Sequence, residues 1–139
     1  MVFTSQTSIE IVTAAYPKDI QLRYLEFKYL IQKVAEKSKG VKTLEESLKW
    51  NEPSFRSNIG SPVRFGWNSK IADHFGIYFV CTTSLIETFK QLYSDIFTFD
   101  GNRALIFTAN ESLQIEAIDH CLELALRYKI VRNLPLLGA

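Results

Sequence analysis

The spacing of apolar residues separates segments with helical periodicity from segments with strand periodicity. After Pro17, a residue that suits the first turn of a helix, apolar side chains recur at helical spacing as far as Gly40. These side chains belong to Ile20, Tyr24, Phe27, Ile31 and Val34. The pattern predicts one long amphipathic helix, with the glycine at its C-terminal end.

A second, short helix is predicted to begin at Leu44. Thr43 and Glu46 have the spacing of a capping box, in which the two side chains bond to backbone N–H groups of the first helical turn. Pro53 ends this helix, because the residue before a proline is pushed toward extended backbone geometry.

Most of the remaining chain has strand periodicity. Strands are predicted around Ser54–Ser57, Val63–Trp67, Gly76–Cys81, Ile96–Phe99 and Ala104–Phe107. The Asp-Gly pair at positions 100 and 101 predicts a hairpin between the last two strands. Ser84 and Asn110 are N-cap residues that predict helices after the third and fifth strands.

The resulting order of elements is α-α-β-β-β-α-β-β-α, which predicts an α+β fold. We expect two layers, a mainly antiparallel five-stranded sheet with helices on one face. A single domain is expected to span residues 16–139. Residues 1–15 are assigned to an N-terminal lead-in, although their weak apolar alternation also permits an edge strand or a helical turn.

The composition limits which kinds of partner and which cellular compartment are expected. The chain has 16 basic and 15 acidic residues, whereas proteins that neutralise nucleic-acid phosphates usually have a clear basic excess. We therefore expect no nucleic-acid partner. No apolar run is long enough to cross a bilayer, so no membrane partner is expected. Cys81 and Cys121 fit no paired metal spacing and indicate reduced thiols in the cytoplasm.

Four short motifs follow one another along the chain. They are Glu46-x-x-Lys49-Trp50-x-x-Pro53-x-Phe55, Ile77-Tyr78-Phe79, Gly101-Asn102-Arg103-Ala104 and Leu134-Pro135-Leu136-Leu137-Gly138. In this order they resemble the YdhG-like family of domains of unknown function, from about Tyr16 to Ala139. The resemblance implies a fold similar to type III secretion chaperones, with one sheet face less covered by helices. One branch of the family is described as frataxin-like iron chaperones, so iron is an implied ligand.

Lys49, Trp50 and Glu52 form the first candidate binding site. In one interpretation a cation and an indole lie at the mouth of a groove and hold an anionic or aromatic ligand. In the other, Trp50 fills the corner between helix and sheet, and Lys49 extends outward.

Arg64 and Arg103 form a second candidate binding site. Arg64 is out of phase with Val63, Phe65 and Trp67, so it belongs on the open face of the sheet if the aromatic side chains face the helices. Two guanidinium groups there would bind a carboxylate or phosphate. The alternatives are an ion pair of Arg64 with an acidic residue on a neighbouring strand, and a hydrogen bond of Arg103 to its own turn.

The last predicted helix carries the candidate metal ligands Glu116, Asp119, His120 and Glu123. Their spacing puts all four on one helix face, where oxygen and imidazole ligands suit iron. The alternative is an ordinary polar outer face, on which Arg127 also falls.

The chain contains none of the common catalytic motifs, and we expect a non-catalytic intracellular binding module. Three interpretations remain open: an iron chaperone, a binder of a small anionic metabolite on the open sheet face, and a protein-interaction module. The apolar tail, residues 134–139, is expected to fold back onto the chain or to dock into a second subunit of a homodimer.

Overall fold

In the computed structural model, which describes all 139 residues, the chain forms five α-helices and seven strands. The helices are α1 (Ile9–Ala14), α2 (Lys18–Lys37), α3 (Leu85–Tyr93), α4 (Ile115–Leu126) and α5 (Tyr128–Val131). The strands are β1 (Val2–Ser5), β2 (Thr43–Lys49), β3 (Glu52–Ser57), β4 (Val63–Gly66), β5 (His74–Phe79), β6 (Thr98–Asp100) and β7 (Ala104–Thr108).

All strands belong to one sheet with the order β1-β2-β3-β4-β5-β7-β6. Every pairing is antiparallel except that of β1 with β2, so the sheet is mixed. The predicted α+β class is confirmed. The predicted count of five strands is wrong, because β1 and β2 add two strands at one end of the sheet.

The core lies between one face of this sheet and the helices. Phe27 of α2 packs edge-on against Phe55 of β3, with ring centroids 5.4 Å apart. Phe89 of α3 packs in the same way against Phe79 of β5 at 5.0 Å. Aromatic side chains dominate this layer because each buries a large apolar area. Helices therefore cover the face of Phe55 and Phe79, while the opposite face has none of these contacts.

The helix predicted at Leu44 is wrong, because residues 43–49 form strand β2. Leu44 and Glu46 are buried while Glu45 between them is exposed, which is the alternation of a strand. Glu46 does not cap a helix. It is fully buried beneath α2, so its tertiary contacts outweigh the local helical signal.

Residues 1–15, assigned from the sequence to an N-terminal lead-in, form a strand and a helix that contact the rest of the chain. Both ordered alternatives occur, since β1 pairs with β2 and α1 follows it. Ile9 of α1 is buried, and the ring of Phe3 stacks on Phe55 at 6.5 Å.

The last long helix begins later than predicted, and the tail contacts the rest of the chain. Asn110 does not cap α4, which begins after Gln114. In the tail, Leu137 is buried and the segment Pro135–Gly138 contacts α3 and α5. Part of the tail therefore packs within its own chain, while Leu134 and Leu136 remain exposed.

Candidate functional site

The sheet face opposite the helices carries a group of charged and aromatic side chains. Because side chains alternate along a strand, Arg64 lies on the face away from Phe65. In the register of β4 and β5, Arg64 is directly opposite Tyr78. Glu52 at the start of β3 lies on the same face. Neighbouring strands thus bring these three polar side chains together.

Two glycines form the floor beneath the Tyr78 ring. Gly66 and Gly76 are partners in the register of β4 and β5. A Cβ atom added to either glycine would lie 2.6 Å from Cε1 of Tyr78, which is closer than real Cβ atoms approach a neighbour. The absence of side chains at both positions therefore lets the tyrosine ring lie against the backbone.

Two arginines converge on this tyrosine. The Cζ atom of Arg64 lies 4.9 Å from the centroid of the Tyr78 ring. Arg103, from the β6–β7 turn, has its Cζ atom 5.9 Å from the same centroid. Both distances are within the range of cation–π attraction. Two positive charges thus lie close to one ring on the open face, one from each side of strand β5.

Each arginine also has a carboxylate partner. Nε of Arg64 lies 2.7 Å from Oε1 of Glu52, but this nitrogen makes no aligned hydrogen bond. Nη2 of Arg103 is 3.1 Å from Oδ2 of Asp100 and donates a hydrogen bond to it. The two alternatives considered for these arginines, a cross-strand ion pair and a bond to the local turn, both occur.

Donor groups nevertheless remain free. The Nη nitrogens of Arg64 make no hydrogen bond within the chain, and Arg103 directs both its Nε and its Nη2 at one oxygen of Asp100. A guanidinium group carries five N–H donors in a plane. An incoming anion would therefore find unused donors without first displacing either carboxylate.

Burial changes the proton affinity of Glu52. Desolvation raises the pKa of this carboxyl, and the nearby Arg64 only partly opposes the effect. The carboxylate is therefore a less stable anion than an exposed glutamate, even though it lies against a cation.

These residues line a groove of about 1060 Å³. From the arginines the groove continues to α1 and to the β4–β5 connection, where Val12, Tyr16 and Trp67 form its wall. The Tyr16 ring packs on Trp67 at 5.6 Å, and its buried hydroxyl has no hydrogen-bond partner. Burial raises the pKa of Tyr16, with Glu52 and Glu46 adding to the shift. The groove wall thus contains an unused hydrogen-bonding group.

Of the first candidate set, only Glu52 lines the groove. Lys49 is exposed, and Trp50 is 88% exposed at the tip of the β2–β3 hairpin. The interpretation in which Trp50 fills the corner between helix and sheet is therefore wrong. Trp50 has φ 54° and Asn51 has φ 59°, the left-handed pair of a type I′ turn.

The candidate metal ligands lie in a different groove, of about 420 Å³, between α2 and α4. Glu116, Asp119, His120 and Glu123 line it opposite Lys33 and Lys37 of α2. Nδ1 of His120 is 2.5 Å from the Tyr93 hydroxyl, and Nη1 of Arg127 is 3.8 Å from Glu123.

These four side chains do not come together as metal ligands. Nowhere in the structure do three His, Cys, Asp or Glu side chains group closely enough to hold a metal ion. Burial raises the pKa of Asp119, and Lys37 and Lys33 oppose this shift. Both lysines line the same groove as this carboxylate, and they would repel a bound cation. The iron assignment has no geometric support.

Sequence reasoning missed Tyr78, Gly66, Gly76 and Tyr16. Tyr78 belongs to an apolar run in which Phe75, Ile77 and Phe79 face the core, and only its phase in the alternation distinguishes it. The glycines mark a close approach in a strand, but which side chain fills the space depends on the register between strands.

No family model, curated protein or solved structure matches this chain. The resemblance to the YdhG-like family is untested by these comparisons and stays a prediction. Among the helices, none has both the length and the apolar character needed to cross a membrane.

Proposed function

We propose that this protein is a binding module that holds a small anionic organic molecule on the open face of its sheet. The observation that carries the proposal is the convergence of Arg64 and Arg103 on one Tyr78 ring at 4.9 and 5.9 Å. Two guanidinium groups with unused donors are a suitable receptor for a carboxylate or a phosphate.

The charge balance of the site argues for an organic ligand rather than a simple ion. Glu52 and Asp100 neutralise much of the charge of the two arginines, which weakens attraction for an inorganic anion. The Tyr78 ring and the apolar lining next to it give contact area that only a molecule with a carbon skeleton can use. Affinity is therefore expected to combine a charged contact with apolar burial.

A nuclear magnetic resonance titration with benzoate tests the proposal at neutral pH. The expected shifts are confined to backbone amides of residues 64–66, 76–78 and 103–106, which surround the tyrosine. Replacing Arg103 by glutamine removes a charge-assisted contact, so benzoate affinity is expected to fall about tenfold.

Arg132→Gln is the matched control, since Arg132 is also exposed and lies outside the groove. It should leave both the benzoate shifts and the affinity unchanged, and both variants should unfold at the wild-type urea concentration. Shifts that persist at full affinity in Arg103→Gln would overturn the proposal.

A further inference from the structure

The groove changes character along strand β5. At the end of the strand, the register brings Tyr78 next to the turn that carries Arg103. Before its start lies the β4–β5 connection, which supplies Trp67 and Ile71 to the groove. The two arginines therefore lie at one end of the groove, and large apolar side chains lie at the other, next to the polar Asn68, Ser69 and His74.

The apolar end includes large aliphatic side chains that are exposed. Ile11 of α1 is 77% exposed and Ile71 is 57% exposed, although they belong to different elements that line one groove. Val12 and Ala15 extend the same lining on α1. Leaving large aliphatic groups in water costs free energy, and an apolar ligand segment placed between them would remove that cost.

We infer that the ligand is an amphiphile, a monocarboxylate whose head binds Arg64 and Arg103 and whose aliphatic tail extends toward Ile71 and Ile11. This inference rests on the proposed anion-binding function and adds the nature of the rest of the molecule. A groove of about 1060 Å³ is large for a two- or three-carbon acid and suits a longer chain. The apolar end of the groove is open to solvent on one side, so it would bury only part of each methylene group that lengthens the tail.

A series of straight-chain carboxylates tests the inference. Propanoate, hexanoate, octanoate and decanoate are titrated into the 139-residue protein at constant ionic strength, with the amide shifts as readout. Complete burial of a methylene group contributes about 0.8 kcal/mol, and partial burial contributes less. We therefore expect affinity to rise roughly fourfold to tenfold for each pair of methylene groups.

Two variants locate the tail. Ile11→Ser and Ile71→Ser should each weaken decanoate binding several-fold and leave propanoate binding unchanged. Leu22→Ser is the matched control, because Leu22 is 62% exposed on α2 and does not line the groove. These surface substitutions are expected to leave the fold intact.

The outcomes separate the inference from the function on which it rests. Propanoate and decanoate binding with equal affinity would overturn the amphiphile inference and leave the anion site standing. Decanol binding as tightly as decanoate would overturn the carboxylate head. Failure of every carboxylate, including propanoate, to shift the amides near Tyr78 would overturn both.

Discussion

Two glutamates on a single hairpin show how differently one residue type is used on the two faces of this sheet. Glu46 of β2 faces α2, and Glu52 of β3 faces the open side. Each lies against a cation, Lys28 for the first and Arg64 for the second. Their surroundings nevertheless give the two carboxylates opposite roles.

Glu46 is fully buried and completely bonded. Its Oε1 atom lies 3.1 Å from Nζ of Lys28 and accepts a hydrogen bond of 2.8 Å from the Ser5 hydroxyl. Its Oε2 atom accepts a short hydrogen bond from the Tyr24 hydroxyl. Through these contacts the carboxylate joins β1, β2 and α2, and it has no oxygen left for a ligand.

Glu52 is only partly enclosed, and its contact with Arg64 lacks the alignment of a hydrogen bond. Such a pair contributes little to stability and can be rearranged at small cost. The comparison teaches that full hydrogen bonding, and not the mere presence of an ion pair, distinguishes a structural carboxylate from one in a replaceable contact.

Glu46→Ala should give the largest effect, because it leaves the Tyr24 and Ser5 hydroxyls and the Lys28 ammonium without their acceptor. Removing one partner of a buried ion pair typically costs about 3–5 kcal/mol of unfolding free energy. Since Lys28 keeps some exposure, we expect a loss near the lower end, about 3 kcal/mol. Urea denaturation measures this loss.

Glu45→Ala is the control for that experiment, since Glu45 lies on the same strand and is exposed. It should change the unfolding free energy by no more than about 0.5 kcal/mol. An equal loss in both variants would show that the strand position, and not the bonded carboxylate, is what matters.

Gly66→Ala is expected to have the next largest effect, and it acts on the open face. The new methyl group would lie 2.6 Å from the Tyr78 ring and 2.9 Å from Oε2 of Glu52. Overpacking of this kind costs about 1–3 kcal/mol, and here side chains can move, so about 1 kcal/mol is expected. The displaced ring should also weaken benzoate binding at Arg64 and Arg103.

A double-mutant cycle checks the cause of that effect. In a Tyr78→Ala background, Gly66→Ala should cost clearly less unfolding free energy, because the contact between methyl group and ring is absent. Equal costs in the two backgrounds would assign the effect to the strand backbone, and the glycine would then have no role in seating the ring.

The contrast between the two glutamates also shows what sequence alone can predict. The stripe from Ile20 to Val34 predicted α2, because helical periodicity is a local property. Residues 43–49 misled the same approach, since the capping pattern of Thr43 and Glu46 is local while the contacts of Glu46 with Ser5 and Lys28 are distant in sequence.

The candidate site, like the fold, could be predicted from the sequence only in part. Alternation alone placed Arg64 on the open face, and this is where the structure has it. The position of Tyr78 opposite Arg64, and of Gly66 opposite Gly76, depends on the register between strands. Register is set by turns and by packing across the whole sheet, which no single segment of the sequence specifies.

Trp50→Asn tests the turn that assigns the two glutamates to opposite faces. The turn aligns Lys49 with Glu52, and a slip of one residue would exchange the faces of the side chains on one strand. Left-handed backbone costs most L-residues about 1–2 kcal/mol, and asparagine tolerates it. We therefore expect the variant to gain about 1 kcal/mol in unfolding free energy, measured by urea denaturation.

Lys49→Asn is the matched control, because Lys49 is exposed and has no left-handed backbone. This substitution should not increase the unfolding free energy. If Trp50→Asn were instead less stable than the wild type, the exposed indole would have to contribute contacts that outweigh its backbone strain.

Glu52→Gln should have the smallest effect on stability, within about 1 kcal/mol, because its pair with Arg64 is partly exposed. Burial raises the pKa of Glu52, so the folded protein holds this proton more tightly than the unfolded chain. The contribution of Glu52 to stability is therefore full below the ordinary glutamate pKa and is lost as pH rises through the raised value.

The same proton sets the charge next to Arg64, because the ionised carboxylate of Glu52 weakens the attraction of this arginine for an anion. Anilinonaphthalene sulfonate, which keeps its negative charge in acid, should bind more tightly to the wild type as the pH falls through the raised pKa of Glu52. The Glu52→Gln variant should bind the dye more tightly at neutral pH and show a flatter profile by fluorescence titration. Glu45→Gln should reproduce the wild-type profile. Identical profiles in wild type and Glu52→Gln would mean that the charge of Glu52 does not affect anion binding at Arg64, and the contrast between the two glutamates would then fail.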